Sequence, residues 1–173
     1  YTNEVKILLR LFPKSIIKYL GVKQIEMPGF EADDIMGSLS KIAESKEIES
    51  YIVSGDKDML QMVNSNIFVY APGNRFKPTT KFQKDQVKSK MGVFPEKIID
   101  LLSLVGDSSD NIPGVPKVGQ KTAAKWLNEF GDLESIKENA SSIKGVVGEN
   151  LRNSLNDLDR NIKLVSLKQD VDI

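Results

Sequence analysis

The run Tyr51-Ile52-Val53-Ser54, closed off by Gly55-Asp56-Lys57-Asp58, constrains the fold more than any other part of this 173-residue chain. A segment this short, apolar and β-branched is expected as a strand buried on both faces of a parallel sheet. Its acidic turn then falls at a strand end, where open α/β sheets place their ligands. Ile67 to Tyr70 predicts a second strand, and Val22 to Glu26 another, ahead of the turn at Pro28-Gly29. Between them Ile35, Met36, Leu39, Ile42 and Ala43 repeat with helical spacing, which predicts a helix from Ala32 to about Glu44. Glu31, Asp33 and Asp34 stand at its entry, where carboxylates suit the helix dipole. Two earlier helices are predicted over Asn3 to Phe12, stopped by Pro13, and over Lys14 to Leu20, stopped by Gly21 at the C′ position. Met59 to Val63 is expected as a short helix. The fold class is therefore α/β, a mainly parallel sheet flanked by helices.

Past Pro72-Gly73 the texture changes. Helical patterns run over Lys84 to Lys90, Pro95 to Val105, Lys121 to Phe130 and Leu133 to Asn139, with two more between Glu149 and Leu164, and no strand is expected among them. The chain divides on this reading into an α/β core over residues 1–74 and a helical subdomain over residues 75–173.

The chain has neither cysteine nor histidine. Thiolate and imidazole metal sites, disulfides, and Ser-His-Asp or Cys-His hydrolysis are excluded together. Chemistry has to run on carboxylates, lysines, hydroxyls and bound ions. Lys+Arg and Asp+Glu are equal at 24 each, so net charge does not point to a polyanion. The segment from Arg75 to Lys90 is locally basic, a pattern that solvated helix faces commonly show. There is no run of about 18 apolar residues, so no membrane association is expected. A cytoplasmic monomer is the expectation.

Three acidic clusters stand out: Glu31-Ala32-Asp33-Asp34, Asp56-Lys57-Asp58 and Asp107-Ser108-Ser109-Asp110. Each alone is most often a helix entry, a solvated turn or a cap. Their joint placement at two strand-to-helix junctions and one helix end is different. Carboxylates gathered in one cleft repel unless cations occupy it, and an all-oxygen set selects Mg²⁺ or Mn²⁺ over zinc. Two such ions, about 3.5 to 4 Å apart, are a standard device for phosphodiester hydrolysis and need no histidine. A second feature is independent of the acids. Gly114-Val115-Pro116-Lys117-Val118-Gly119, followed by Gln120-Lys121-Thr122, sits between two predicted helices as a helix-hairpin-helix. Glycines there let backbone amides approach a phosphate, the following helix N-terminus adds its dipole, and Lys117, Lys121 and Lys125 add charge. Such contacts carry no sequence information, so binding would be structure-directed and salt-sensitive. Trp126, Phe130 and Phe94 fall at apolar helical positions and are expected in the core.

Gly29-Phe30-Glu31-Ala32-Asp33-Asp34, Ser54-Gly55-Asp56-Lys57-Asp58 and Gly106-Asp107-Ser108-Ser109-Asp110-Asn111-Ile112-Pro113-Gly114-Val115 resemble the motifs of the bacterial 5′-nuclease family in its order and spacing. That family includes flap endonucleases, phage 5′-exonucleases and the exonuclease domain of DNA polymerase I, and the last is nearest in wording, notably at Ile98-Ile99-Asp100-Leu101-Leu102. The likeness covers roughly Ile16 to Leu167. It implies a PIN-like core with a helix-hairpin-helix subdomain. It assigns Glu31, Asp33 and Asp34 to a first metal site, Asp107 and Asp110 to a second, and Asp56 and Asp58 between them. It implies two or more Mg²⁺ or Mn²⁺ ions, a K⁺ ion at the hairpin, and backbone contacts from Gly114, Val115, Lys117, Val118, Gly119, Lys121, Thr122 and Lys125. The activity implied is 5′-3′ exonuclease and flap endonuclease cleavage of DNA or RNA primers at flaps, nicks or branched duplexes, in replication and repair, with a polymerase domain following in some members. The family also opens with a strand bearing an aspartate, a later strand bearing another, and a helical arch. Segments are therefore expected to be missing before Tyr1 and between Phe12 and Pro13. Two rivals stand beside this expectation: a noncatalytic structure-specific DNA-binding module without a complete metal centre, and an unrelated magnesium-dependent phosphotransferase using Asp-Lys-Asp.

Overall fold

The computed structural model describes residues 16–173, and the helix expected over Asn3 to Phe12 lies outside them. The chain forms two units, residues 1–32 and 33–173. In the first, residues 16–19 are helical. Gly21, at φ +72°, closes this turn as expected. Its N–H donates to the Lys18 carbonyl at 3.1 Å, and the Val22 N–H donates to the Ile17 carbonyl at 3.3 Å. That pair of bonds is the Schellman arrangement, which satisfies carbonyls a helix end would leave exposed. The strand expected over Val22 to Glu26 does not form: residues 22–27 carry no strand pairing. Val22 is 57% exposed, so the segment lacks the buried face that would fix a register.

Helix α1 (Ala32–Glu44), all but its first residue in the second unit, is placed as its apolar spacing predicts. A three-stranded sheet follows, β1 (Ser50–Val53), β2 (Ile67–Ala71) and β3 (Thr80–Phe82), in the order β1-β2-β3. β1 and β2 run parallel, with Ile52 opposite Val69, whereas β3 returns antiparallel with Phe82 opposite Val69. β3 corrects the expectation of no strand after Pro72. Its three residues are too few for a pattern of their own and are held by ladder bonds to β2. The crossover between β1 and β2 carries a 3₁₀ turn, Asp58–Met62, whose Met59, Leu60 and Met62 are buried. Burial on both faces of β1 is not observed. Ile52 is buried while Tyr51 and Val53 are 51% and 66% exposed. Among the described residues β1 pairs on one side only, and its Tyr51 stacks on Phe68 at 5.3 Å on the outer face of the sheet.

The inner face, with Ile52, Ile67, Val69 and Phe82, joins one continuous core with the helices beyond. These are α2 (Lys84–Met91), a 3₁₀ turn Pro95–Lys97, α3 (Ile98–Val105), α4 (Gln120–Phe130), α5 (Leu133–Glu138) and α6 (Gly145–Val165). α3 is the hub: Ile98, Leu101, Leu102 and Leu104 are all buried. α6 is one helix of 21 residues where two were expected. Asn153-Ser154 favours helix ends by propensity, but Leu151, Leu155, Leu158 and Ile162 form an unbroken stripe against the core, and packing decides. Trp126 is buried as expected, whereas Phe94 is 39% exposed, with Lys88 Nζ 4.2 Å from its ring centre. Residues after α6 run along α1: the Val171 N–H donates to Ser38 Oγ at 3.0 Å, and Gly37 leaves room for the Lys168 carbonyl. No described helix is long and apolar enough to cross a membrane.

Candidate metal centre and nucleic-acid face

Two backbone devices bring distant acids together. The first follows β1, where Ser54 Oγ accepts the Asp56 N–H at 3.1 Å and Asp56 Oδ1 accepts the Asp58 N–H at 2.9 Å. These local bonds close the turn and start the 3₁₀ helix at Asp58. The second follows α3, where two short strands, β4 (Gly106–Asp107) and β5 (Ile112–Pro113), pair antiparallel and close a loop carrying Asp107 and Asp110. Gly106, at φ +74°, and Gly114 make this crossing possible. A Cβ on Gly114 would overlap the Val105 carbonyl, and one on Gly106 would overlap the backbone of Ile112 and Gly114. From α6, the fully buried Asn161 ties the loop down, its Nδ2 donating to the Ser103 carbonyl at 3.1 Å and the Pro113 carbonyl at 2.6 Å.

The result is a group of three carboxylates. Oxygens of Asp58, Asp107 and Asp110 all lie within 4.8 Å of one another. The side chains of Asp58 and Asp107 are only 16% and 10% exposed. Asp58 Oδ1 is buried and accepts no hydrogen bond. Lys57 Nζ stands 3.8 Å from Asp58 Oδ1 and donates to Asp107 Oδ2. Burial, reinforced by Asp56, Asp107 and Asp110 and opposed by Lys57, pushes the Asp58 carboxyl up to about 6. Asp107 moves the other way: its hydrogen bond from Lys57 and that from the Ser109 N–H outweigh burial and hold it below the usual carboxylate range.

These shifts set a pH window. A carboxylate whose folded pKa is raised binds more protons folded than unfolded, so it disfavours the fold at neutral pH and that penalty is relieved as pH falls through about 6 toward 4. Asp107 acts oppositely, but its contribution is lost only as pH falls below the ordinary carboxylate value. The ion-free protein is therefore expected to melt higher at pH 5.5 than at pH 7.5. Asp58→Asn should flatten that difference, as differential scanning calorimetry in chelator would show; an unchanged difference would remove Asp58 as its source.

The other acids singled out from the sequence are not among these three. Asp56 is exposed and spends Oδ1 on the turn. Asp33 and Asp34 lie in the first turn of α1, and Asp34 Oδ1 accepts the Lys168 N–H at 2.9 Å. Glu31 is exposed in the first unit. Three residues at the site carried no sequence expectation: Lys57, Asn161 and Arg160. Arg160 lines a cleft of about 870 Å³ together with Asp107, Ser108, Asn111 and Gly114. Lys57 was visible as the cation between two aspartates; Asn161 and Arg160, about 50 residues beyond Asp107 and Asp110, gave no local signal.

The hairpin residues divide into two kinds. Val115 and Val118 are buried, and their N–H groups donate internally to the Leu104 and Val115 carbonyls at 2.8 and 3.0 Å. Lys117, at φ +66°, and Gly119 face out, and a Cβ on Gly119 would meet nothing within 4 Å. Gly119 caps α4 without a side-chain bond, and no acid stands in that helix's first turn. Beside it, Lys121, Thr122, Lys125 and Lys144 line a groove of about 610 Å³. The lysines of the basic segment are occupied differently. Lys84 pairs with Glu96 at 2.9 Å, and Lys81, Lys88 and Lys90 sit 4.0, 4.2 and 4.5 Å from the ring centres of Phe68, Phe94 and Phe82.

Residues 9–92 match the family described as 5′-3′ exonuclease, N-terminal resolvase-like domain, and residues 93–173 match the 5′-3′ exonuclease, C-terminal SAM fold. DNA polymerase I of Mycobacterium bovis is 40% identical over 91% of this chain and 18% of its own length. The 5′-3′ exonuclease of Buchnera aphidicola is 39% identical over 91% of this chain and 56% of its own. The chain thus spans little more than half of the shorter relative. Among solved structures, T5 5′-exonuclease with bound divalent metal ions (zinc) superposes with a TM-score of 0.79 at 23% identity, over 97% of this chain and 63% of that one. The catalytic core of Rad2 with a DNA substrate gives 0.62 at 17% identity, over 99% and 58%. Both likenesses show the fold: a resolvase-like PIN core with a helical SAM-like part. With two adjoining matches covering nearly all of its length, the chain belongs to the 5′-3′ exonuclease family.

Proposed function

We propose that this chain is the hydrolytic and duplex-gripping part of a divalent-metal-dependent 5′-nuclease. The observation that carries the reading is the meeting of Asp58, Asp107 and Asp110 from two separate turns, with one buried Asp58 oxygen left without a hydrogen bond. A buried carboxylate oxygen with no donor is costly in a folded protein, and a cation would relieve that cost. The donor set, oxygen only, suits Mg²⁺ or Mn²⁺. Asp58, Asp107 and Asp110 would hold one ion, and family likeness adds Glu31, Asp33, Asp34 and Asp56 to the acids that serve the centre. When bound, such ions generate a hydroxide nucleophile at neutral pH and stabilise charge on the phosphate.

The protein's own residues do the rest. Asn161 and the paired glycines hold Asp107 and Asp110 in place. Gly119 and the open amides at the start of α4, with Lys117, Lys121, Thr122 and Lys125, grip the phosphates of one strand, and Gly114, Val115 and Val118 shape the hairpin. A K⁺ ion at that hairpin belongs to the same proposal. The substrates are DNA or RNA-primed duplexes with a 5′ flap, nick or branch, handled by a cytoplasmic monomer and, in a longer protein of the polymerase I kind, ahead of a polymerase domain.

The test is cleavage of a 5′-flap duplex labelled at its 5′ end, with Mg²⁺ and with a chelator, beside a gel shift. Short 5′ products released only with metal are expected. Duplex binding without metal-dependent cleavage would overturn the hydrolytic reading and favour a noncatalytic DNA-binding module.

A further inference from the structure

Among the described residues, Lys57 is the cation that pairs with two members of the carboxylate group. It reaches Asp107 across 50 residues of sequence and bridges it to Asp58. Both oxygens of Asp107 are thereby engaged: Oδ2 by Lys57 and Oδ1 by the Ser109 N–H at 2.7 Å. These two donors differ in how readily they can leave. The Ser109 amide is part of the loop clamped by the β4–β5 pairing, so releasing it means opening that loop. Lys57 is 40% exposed, on a flexible four-carbon stem at the rim of the group, and can turn out to solvent with its charge hydrated.

We propose that Lys57 is a built-in counter-cation of the acidic group, which competes with a divalent ion for Asp107 and is displaced when that ion binds. The inference rests on the metal-centre reading above and deepens it. Three carboxylates within 4.8 Å repel one another, and an internal ammonium offsets that repulsion while no ion is bound. The same ammonium weakens the site for any cation that follows. Metal affinity is thus held below what the acids alone would give, so ions exchange readily. Once displaced, the ammonium remains at the rim of the site as a positive group. A positioning role for Lys57 predicts the opposite effect on affinity, because removing a residue that holds Asp107 in place should loosen the metal site.

The test is Mn²⁺ titration by calorimetry and by electron paramagnetic resonance on the wild type, Lys57→Met and Lys57→Arg at pH 7.5. Lys57→Met is expected to bind Mn²⁺ about tenfold more tightly, the order of effect of one unit charge at such distances when solvent screens it nearly as in bulk water. Lys57→Arg should stay near wild type. In chelator Lys57→Met should melt lower than wild type, and Mn²⁺ should raise its melting point by more. Equal or weaker Mn²⁺ affinity in Lys57→Met overturns the proposal and leaves the metal centre standing. A wild type that binds no Mn²⁺ overturns both. Lys57→Gln carries the same expectation should the methionine variant fail to fold.

Discussion

Asp107→Asn is expected to lower metal-dependent flap cleavage by about a hundredfold to a thousandfold, the scale on which removing one charge-stabilising group acts in a preorganised site. Duplex affinity in the presence of a chelator should stay within about threefold, since phosphate contacts from separate groups act nearly independently. The asymmetry follows from position. Asp107 is 10% exposed and faces Asp58, Asp110 and Lys57, whereas the outward-facing Gly119 and Lys121 belong to the start of α4. Asparagine keeps the size and can still accept the Ser109 N–H, so the β4–β5 loop should persist. What it loses is the charge that a cation needs and that Lys57 now neutralises. Single-turnover cleavage and filter binding, run on one preparation, separate the two effects. Loss of binding with cleavage retained would reverse the roles assigned to the loop and the hairpin.

How much of this was legible in the sequence depended on the range of the forces involved. The turn at Gly21 and the helix Ala32–Glu44 follow local rules, and both stand where spacing and a glycine placed them. Strand β3 and the single long α6 follow tertiary pairing and packing. Three residues of β3 show no period, and the polar pair Asn153-Ser154 is overruled by the leucine stripe beneath it. The exposure of Tyr51 and Val53 was hidden for the same reason: a β-branched run says strand, but which faces are covered depends on what packs against it. At the site, the acids announced themselves by spacing, and Asp107 and Asp110 do meet Asp58. Their supports did not. Asn161 lies 48 residues from the Pro113 carbonyl it holds, and no pattern in one sequence encodes that bond. The glycines were read for their openness to a ligand. Gly114 is needed for another reason, to let the chain pass the end of α3.

That difference between two glycines gives the second large expected effect. At Gly114 a methyl group would overlap the Val105 carbonyl and crowd the Gly106 amide, both backbone, with no flexible side chain to yield. Overpacking of this kind costs about 1 to 3 kcal/mol and sometimes more. For a protein of this size each kcal/mol moves the melting point by roughly 2 to 4 °C. Gly114→Ala is therefore expected to melt several degrees lower, and to lose cleavage along with stability because the loop carrying Asp107 and Asp110 hangs on that crossing. At Gly119 the backbone is extended, φ −101°, and a methyl would meet nothing within 4 Å. Alanine is a poorer helix cap than glycine, a cost of about 0.5 to 1 kcal/mol, so the melting point should move little. Its methyl would stand between an incoming phosphate and the open amides of α4. Duplex affinity should then fall about tenfold, as loss of one or two charge-assisted hydrogen bonds implies, with cleavage of saturating substrate nearly intact. Melting curves and duplex titrations on the two variants decide the matter together. A Gly119→Ala protein that binds duplex like the wild type would move the grip away from the start of α4, while a Gly114→Ala protein that melts like the wild type would mean the β4–β5 crossing is looser than its backbone contacts require.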